Sequence, residues 1–160
     1  MRILRAAGLA SVVVAAMACD VHAQDRTALL SSGWDCFNKQ DYACAIRSAS
    51  PCVDQFARQA QRDQARIEAG VTPPPLPPGS ADRNSPEAKR TFANGVLNDA
   101  AACMFILGNA QEQTSLCADA RKTYQDLAKL TYARVWDPQG WFWAPAESAE
   151  DGLGRLNGRC

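Results

Sequence analysis

The clearest alternation of apolar and polar positions lies between residues 85 and 134 and predicts two helices joined by a turn. Ser85 is a good N-cap, Pro86 suits the first turn, and Glu87 favours the positive end of the helix dipole. The apolar positions that follow have helical spacing; they are Phe92, Val96, Ala100, Met104 and Leu107.

Gly108-Asn109 is the predicted end of this first helix, because glycine and asparagine tolerate the left-handed conformation that ends helices. Thr114 or Ser115 is expected to start the second helix. Its apolar stripe is Leu116, Ala120, Tyr124, Leu127 and Thr131. A turn near Asn109 would bring Cys103 and Cys117 together across the antiparallel pair.

The N-terminal half also predicts helices. Residues 24–40 form one, with Leu30, Trp34 and Phe37 on its apolar side. After a polar break, Asp41 is expected to cap a segment containing Tyr42, Ala45 and Ile46. Ser50-Pro51 then predicts a new helix over residues 51–69, which Gly70 ends.

The remaining segments are less regular. Residues 71–84 are predicted to be a semi-rigid polyproline spacer, because five prolines lie between Pro73 and Pro78. Residues 137–140 predict a turn, and a weak helix is expected from Pro145. No run of β-branched residues alternates with polar ones, so essentially no sheet is expected. The predicted fold is all-α, with five or six helices in two helical-hairpin halves, either tetratricopeptide-like or a small bundle stabilised by disulfides.

The first 23 residues predict a signal peptide. A short basic start precedes an apolar run from Ala6 to Met17, which is too short for a membrane span, and Val21 and Ala23 suit signal peptidase. Residues 24–160 are then a single domain in the periplasm or outside the cell. Cleavage before Cys19, which would produce a lipoprotein, is the alternative, although Ala16 stands where lipoprotein signals usually have leucine.

Cysteine content agrees with export to an oxidising compartment. Six cysteines predict a disulfide framework, with fifteen pairings that sequence alone leaves open; they are Cys36, Cys44, Cys52, Cys103, Cys117 and Cys160. A hairpin about Gln40 would allow Cys36 to meet Cys44, whereas an uninterrupted helix would hold them about 12 Å apart. Cys160 is well placed to tie down the C-terminal tail.

Several chemistries are disfavoured by what the chain lacks. Its one histidine, His22, lies in the predicted leader, so the domain lacks the usual general base and the commonest zinc ligand. Cysteine spacing matches neither zinc nor redox motifs, and no phosphate loop is present. We therefore expect no catalytic residues, cofactor or metal.

Charge composition argues against a nucleic-acid partner. The chain has 17 basic and 17 acidic side chains; without Arg2, Arg5 and Asp20 of the leader, 15 and 16 remain, a net charge of −1. No basic run stands out, as nucleic-acid binding would require. A carboxylate-based hydrolase is the remaining enzymatic alternative; its candidate residues are Asp119, Asp126, Glu147, Glu150 and Asp151.

Trp141, Phe142 and Trp143 are the candidate partner-binding residues. Three adjacent aromatic side chains do not all face inward from one regular element, so we expect at least one to be exposed. Tryptophan is enriched at the energetic centres of protein interfaces. The sequence therefore predicts an exported, non-enzymatic protein-binding module without an integral membrane span.

Two family resemblances point the same way. Residues 33–46, GWDCFNKQDYACAI, resemble a tetratricopeptide repeat, and residues 104–128 align as a second copy through Gly108, Ala120, Tyr124 and Ala128. Pro51 and the proline-rich segment depart from that pattern. The resemblance implies a helical protein that binds other proteins.

Residues 103–160 resemble periplasmic immunity proteins that neutralise type VI secretion amidase effectors. The resemblance is carried by Cys103, Gly108, Cys117, Pro138, residues 144–146, Leu153 and Cys160. It implies a small exported helical protein that plugs a cell-wall hydrolase, and it makes immunity the alternative function.

Overall fold

The computed structural model describes residues 17–159, with side chains described from residue 26 onward. Residues 1–16 of the predicted leader, the side chain of Cys19 and the tail residue Cys160 lie outside this part, so export, lipidation and the role of Cys160 stay predictions. Eight elements follow in chain order: α1 (Met17–Asn38), α2 (Tyr42–Glu68), α3 (Pro86–Ala93), α4 (Gly95–Gln113), α5 (Cys117–Leu127), β1 (Val135–Asp137), β2 (Trp141–Trp143) and α6 (Pro145–Arg159).

The predicted all-α class is confirmed, with α4 at the centre of the bundle. This helix packs against α1 and α2 on one side and against α5 and α6 on the other. Leu97, Cys103 and Ile106 are fully buried on it. A helix that is apolar around most of its circumference must be surrounded, and this requirement makes α4 the core helix.

A small antiparallel sheet is the one departure from the expected fold class. β1 and β2 pair over three residues each, and the turn predicted at 137–140 joins them, with Gly140 at φ +116°. Valine, tryptophan and phenylalanine favour such a pleated surface. Strands this short contain too few residues for an alternating pattern to be recognised in the sequence.

The hairpin between α1 and α2 is confirmed in detail. Gln40 has φ +58°, and the Asp41 side chain accepts a hydrogen bond from the Cys44 amide at 2.9 Å, so it caps α2. The reversal brings Cys36 and Cys44 into a disulfide. Of the pairings that the sequence leaves open for Cys36, the structure shows the one with Cys44.

Ser50-Pro51 does not start a helix, and this prediction was wrong. α2 runs through Pro51, and the Ser50 hydroxyl donates to the Ile46 carbonyl at 2.7 Å. Buried positions continue on both sides of the proline, at Ala49 and Cys52. Tertiary packing thus outweighs the backbone hydrogen bond that proline removes.

The long helix predicted from Ser85 is divided differently from the expectation. Ser85 caps α3 as predicted, since its hydroxyl accepts from the Ala88 amide at 3.0 Å, but the chain breaks at Asn94. Gly108 and Asn109 lie inside α4, which ends at Gln113. The turn instead follows at Ser115, with φ +60°.

This shift changes the disulfide pairing across the hairpin. Cys103 lies in the middle of α4 and is bonded to Cys52 of α2, so the predicted meeting of Cys103 with Cys117 was wrong. Cys117 is also disulfide-bonded. In the predicted stripe of the second helix, Tyr124 and Leu127 are buried, but Leu116 is 44% exposed.

Tyr124 explains why Gly108 stands inside a helix. A Cβ atom on Gly108 would lie 2.7 Å from the Tyr124 ring, and one on Gly152 of α6 would lie 2.5 Å from it. The two glycines therefore allow α4 and α6 to close on the ring from both sides. Glycine here serves close packing and not helix termination.

Substituting Gly152 by alanine is expected to lower the free energy of unfolding by about 1–3 kcal/mol, because the added methyl group overlaps the buried Tyr124 ring. Gly154 in the same helix is the matched control. Nothing lies within 4 Å of a Cβ added there, so Gly154→Ala should stabilise the protein by up to about 1 kcal/mol. Urea titrations of the two variants check the opposite signs; equal effects would contradict this packing.

The proline-rich segment is non-helical as predicted, but it is more than a spacer. The Gly79 amide donates to the Phe142 carbonyl at 2.7 Å, and the Phe142 amide donates to the Ser80 carbonyl at 3.0 Å. The Leu76 carbonyl accepts from Nε of the buried Arg134 at 2.8 Å. These bonds hold the segment against the outer edge of β2.

Arg134 is itself held by backbone oxygens. Its Nη1 donates to the carbonyls of Thr131 and Ala133, both at 2.8 Å. Burial lowers the pKa of the Arg134 guanidinium from its ordinary value, and the charge of Glu147 opposes that shift. This residue ties the proline-rich segment to the loop that precedes β1.

Candidate functional site

The β1–β2 hairpin separates the three candidate aromatic residues onto two faces. Trp136 pairs with Phe142, while Asp137 pairs with Trp141 and Val135 with Trp143. Directly paired residues share a face of a sheet, and successive residues alternate. Trp141 and Trp143 therefore lie on the opposite face from Phe142.

Exposure follows this alternation. Trp141 is 38% exposed, Trp143 is half-buried and Phe142 is fully buried. The expectation that at least one of the three is exposed is confirmed. Phe142 has a structural position, because its side chain packs inward and its backbone pairs with residues 79 and 80.

The inner face of the hairpin forms a compact aromatic cluster, hereafter the Phe142 cluster, composed of Phe92, Trp136 and Phe142. The Phe142 ring lies 4.9 Å from both neighbouring rings, measured between centroids. The Arg83 guanidinium stacks over the cluster, 5.6 Å from the Trp136 ring and 5.8 Å from that of Phe92. This cluster holds the hairpin on the bundle.

The outer face of the hairpin borders an open groove of about 670 Å³. We call it the aromatic groove. Its walls come from α1, α4, the hairpin and the start of α6; they are Trp34, Phe37, Asn38, Phe105, Val135, Trp136, Asp137, Pro138, Trp141, Trp143 and Ser148. Side chains far apart in sequence thus converge on one surface.

The rings of the groove support one another. The Phe105 ring contacts Trp143 edge-on at 5.0 Å and lies 5.9 Å from Trp34. Trp34 and Phe37 are 6.0 Å apart, also edge to face. Offset and edge-on contacts of this kind are the favoured geometries of aromatic pairs, so the walls are well ordered.

Local structure fixes the end of α1 that carries Trp34 and Phe37. Cys36, which is disulfide-bonded to Cys44, lies between these two residues in the sequence. The Asp41 side chain caps α2 just after the turn. The rigid α1–α2 hairpin therefore positions one wall of the groove. Their helical spacing places both aromatic residues on the apolar side of α1 but carries no sign that this side borders a groove.

Among the side chains of residues 26–159, Asp137 is the only ionisable one that lines the aromatic groove. Its Oδ1 accepts a hydrogen bond from the Gln139 amide at 2.8 Å, which orients the carboxylate within the turn. Among the salt bridges of the described residues, none involves Asp137. The groove is thus apolar with a single acidic edge.

The carboxylates considered for hydrolysis lie elsewhere. Glu147, Glu150 and Asp151 are exposed along α6, and none of them lines the groove. Asp126 is held by Lys122 and Lys129, at 3.0 and 2.8 Å. Burial raises the pKa of Asp126, but the hydrogen bonds from the two lysines outweigh this effect and keep it below its ordinary value.

The most enclosed acid is Glu112, with a side chain that is 1% exposed. Arg155 donates to both of its oxygens, at 2.9 and 2.8 Å, and the Tyr124 hydroxyl donates to Oε2 at 2.8 Å. The hydrogen bond from Arg155 is the main cause that lowers the pKa of Glu112. Burial and the adjacent carboxylate raise the pKa of Tyr124.

Glu112 therefore serves as the charged centre of a packed structural network. Within residues 26–159, no three histidine, cysteine or acidic side chains are grouped so that they would hold a metal ion. Among the described helices, none has the length and apolar character needed to cross a bilayer.

Comparison of the chain with protein-family models, curated proteins and solved structures finds no match. The resemblances to tetratricopeptide repeats and to immunity proteins therefore stay predictions. The aromatic groove is the surface on which aromatic side chains from several elements of the described chain meet and contact one another.

Proposed function

We propose that this protein is an exported, non-enzymatic binding module that receives a segment of a partner protein in the aromatic groove. Two intramolecular disulfides support an oxidising compartment, because such bonds persist mainly in exported proteins. The bacterial periplasm or envelope is the location that fits the predicted leader. The helical bundle then acts as a rigid scaffold that presents the aromatic groove as its binding surface.

The observation that carries this proposal is the convergence of four tryptophans on one open surface. Trp34 of α1, Trp136 of β1, and Trp141 and Trp143 of β2 all line the groove. Their positions are supported by ring contacts and by a disulfide-closed hairpin, so a partner would meet a preformed site. Preformed aromatic pockets are the usual centres of binding energy in protein interfaces.

The experiment has two steps. The full chain is first crosslinked in its native host, and binding is then measured with purified proteins. A photo-crosslinking amino acid replaces Trp141 in one sample and Leu116 in another, since both positions are exposed apolar sites. We expect a discrete crosslinked protein from position 141 only. That protein is then purified for binding measurements with the unmodified chain.

Trp141→Ala is expected to weaken the dissociation constant for this purified partner at least tenfold, since truncating a central aromatic residue typically costs about 2 kcal/mol or more. Isothermal titration calorimetry provides the measurement. Leu116→Ala is the matched control, because Leu116 is 44% exposed and does not line the groove; its affinity should stay unchanged.

Two results would overturn the proposal. One is a partner whose affinity is equal in the wild type and in Trp141→Ala, with circular dichroism showing both folded. The other is crosslinking from position 116 with the same products as from position 141. The identity of the captured protein also tests the immunity alternative, which requires a toxic peptidoglycan hydrolase as the partner.

A further inference from the structure

We infer that the aromatic groove is built to receive an arginine side chain from a basic segment of the partner. This inference rests on the proposed binding function and specifies its chemistry. It follows from a comparison of the two faces of the β1–β2 hairpin and from the position of Asp137.

The first observation is that the chain stacks its own arginine on the Phe142 cluster. Arg83 lies over the rings of Trp136 and Phe92, at 5.6 and 5.8 Å. A guanidinium over an aromatic face is attracted by the negative potential of the ring, and tryptophan gives the strongest attraction. The inner aromatic surface of the hairpin is therefore complete within the chain.

Trp136, which carries Arg83, also borders the aromatic groove, but the other groove tryptophans differ from it. Across the described residues, the stacked arginines are Arg26 on Phe56 and Arg83 on the Phe142 cluster, and no cation stacks on Trp34, Trp141 or Trp143. Trp141 keeps 38% of its surface exposed. The Trp141 indole is thus accessible to a cation from outside.

The second, independent observation is a carboxylate without a counter-ion. Asp137 is half-buried, yet it takes part in no salt bridge among residues 26–159. Its Oδ1 is occupied by the Gln139 amide, and no described residue donates to Oδ2. Among the described residues no buried side-chain oxygen lacks a partner, so Oδ2 is reached by solvent and is open to a charged donor from outside.

The register brings the two features together. Asp137 is the direct cross-strand partner of Trp141, so the carboxylate and the exposed indole lie side by side on the groove face. Directly paired side chains have Cβ atoms about 5 Å apart. A guanidinium stacked on Trp141 would therefore lie within reach of Asp137 Oδ2, with contacts to both its flat face and its N–H edge.

Arginine fits this geometry better than lysine does. Its guanidinium is planar, stacks on indole and donates in its own plane at the same time. The lysine ammonium group is a compact, strongly hydrated charge. It has no flat face that could stack on indole while its N–H groups donate to a carboxylate. The groove volume of about 670 Å³ also leaves room for the neighbouring residues of the segment.

The test uses the full chain and two capped peptides, acetyl-GRGRG-amide and its uncharged counterpart acetyl-GQGQG-amide. Indole N–H signals of the four tryptophans are followed by two-dimensional NMR during titration at low salt. We expect the arginine peptide to shift most strongly the signals of Trp141 and Trp143, which share the hairpin face with Asp137, and to shift less that of Trp136, which also lines the groove but is stacked on by Arg83. The glutamine peptide should bind at least tenfold more weakly.

Asp137→Asn is the decisive variant, because asparagine keeps the Oδ1 acceptor for the Gln139 amide and removes the charge. We expect it to weaken the arginine peptide about tenfold and to abolish the salt dependence of binding. Asp119→Asn is the matched control, since Asp119 is exposed on α5 and does not line the groove. Thermal melts of both variants should match that of the wild type.

The outcomes separate this inference from the proposed function. Equal shifts with both peptides, or unchanged affinity in Asp137→Asn, would overturn arginine recognition while leaving a protein-binding groove. Shifts confined to Trp136, or none with either peptide, would also overturn it. If the groove signals respond instead to an N-acetylglucosamine oligomer, the site binds a glycan and both proposals fail.

Discussion

Replacing Cys52 and Cys103 together by alanine should lower the free energy of unfolding by about 4 kcal/mol, the largest effect we expect from any local change. The bond joins α2 to α4, the two helices at the centre of the bundle, and it closes a loop with a sequence separation of 51 residues. Such a loop restricts the unfolded chain strongly, which gives about this value at 25 °C. Guanidinium titration of the oxidised double variant measures it.

The Cys36–Cys44 bridge is the internal control. It closes a separation of only 8 residues, so the same relation gives about 2.5 kcal/mol for Cys36→Ala with Cys44→Ala. The two double variants should therefore rank by loop length. A larger loss from the shorter loop would show that chain entropy does not dominate the stabilisation.

The second large effect is expected at the buried acid Glu112. Arg155→Met should cost about 3 kcal/mol, because it leaves a carboxylate that is 1% exposed without its main cation. The estimate is at the low end for buried pairs, since Arg155 is itself 42% exposed and Arg159 approaches Glu112 within 3.6 Å. Methionine preserves most of the apolar stem of arginine, so the loss reports the charge interaction.

Arg159→Met is the matched control, since this residue is 62% exposed and lies farther from Glu112; about 0.5 kcal/mol is expected. The Glu112→Gln variant completes a double-mutant cycle with Arg155→Met, which isolates the coupling between the two side chains. Additive losses in that cycle would contradict a direct pair.

The same pair predicts the direction of pH dependence. Because the hydrogen bonds from Arg155 hold the pKa of Glu112 below its unfolded value, the folded state binds this proton less tightly than the unfolded chain does. The stabilisation is therefore fully present above about pH 4.5 and decreases as the pH falls through the lower folded pKa. In Arg155→Met this contribution to acid destabilisation should shrink, as measured by unfolding titrations between about pH 3 and pH 7.

Predictions from the sequence were confirmed mainly where the interaction joins residues that are close together in the chain. Asp41 and Ser85 cap α2 and α3 as predicted, because a side-chain oxygen needs only the amide three residues later. Gly70 follows α2 with φ +69°, a conformation that glycine adopts without steric cost. The Cys36–Cys44 bridge was allowed by a hairpin about Gln40 but stayed one of several open pairings until the structure showed it.

Predictions failed where a contact with a residue far away in the sequence outweighs the local conformational preference. Pro51 and Gly108 are helix breakers in isolation, yet both lie inside helices. Pro51 is held by the buried face of α2 and the bond from Cys52 to Cys103, and Gly108 is required by the Tyr124 ring. Neither contact can be recognised from the residues that neighbour Pro51 or Gly108 in the sequence.

The candidate site shows the same division. Trp141 was identified because three consecutive aromatic residues cannot share one face of a regular element. For Trp34 and Phe37 the sequence predicts only an apolar side of a helix, since an apolar position has the same spacing whether it faces the interior or a groove. Asp137 was seen only as a turn residue, and its place beside Trp141 depends on the strand register.

The amino-acid pattern alone determined the helical class and the caps at Asp41 and Ser85, because these depend on neighbours within about one turn. Only the tertiary structure decided that Cys103 joins Cys52, that glycines admit Tyr124 and that aromatic residues from four elements meet in one groove. Those features depend on which faces the packed helices bury together, and that choice is made by the whole core at once.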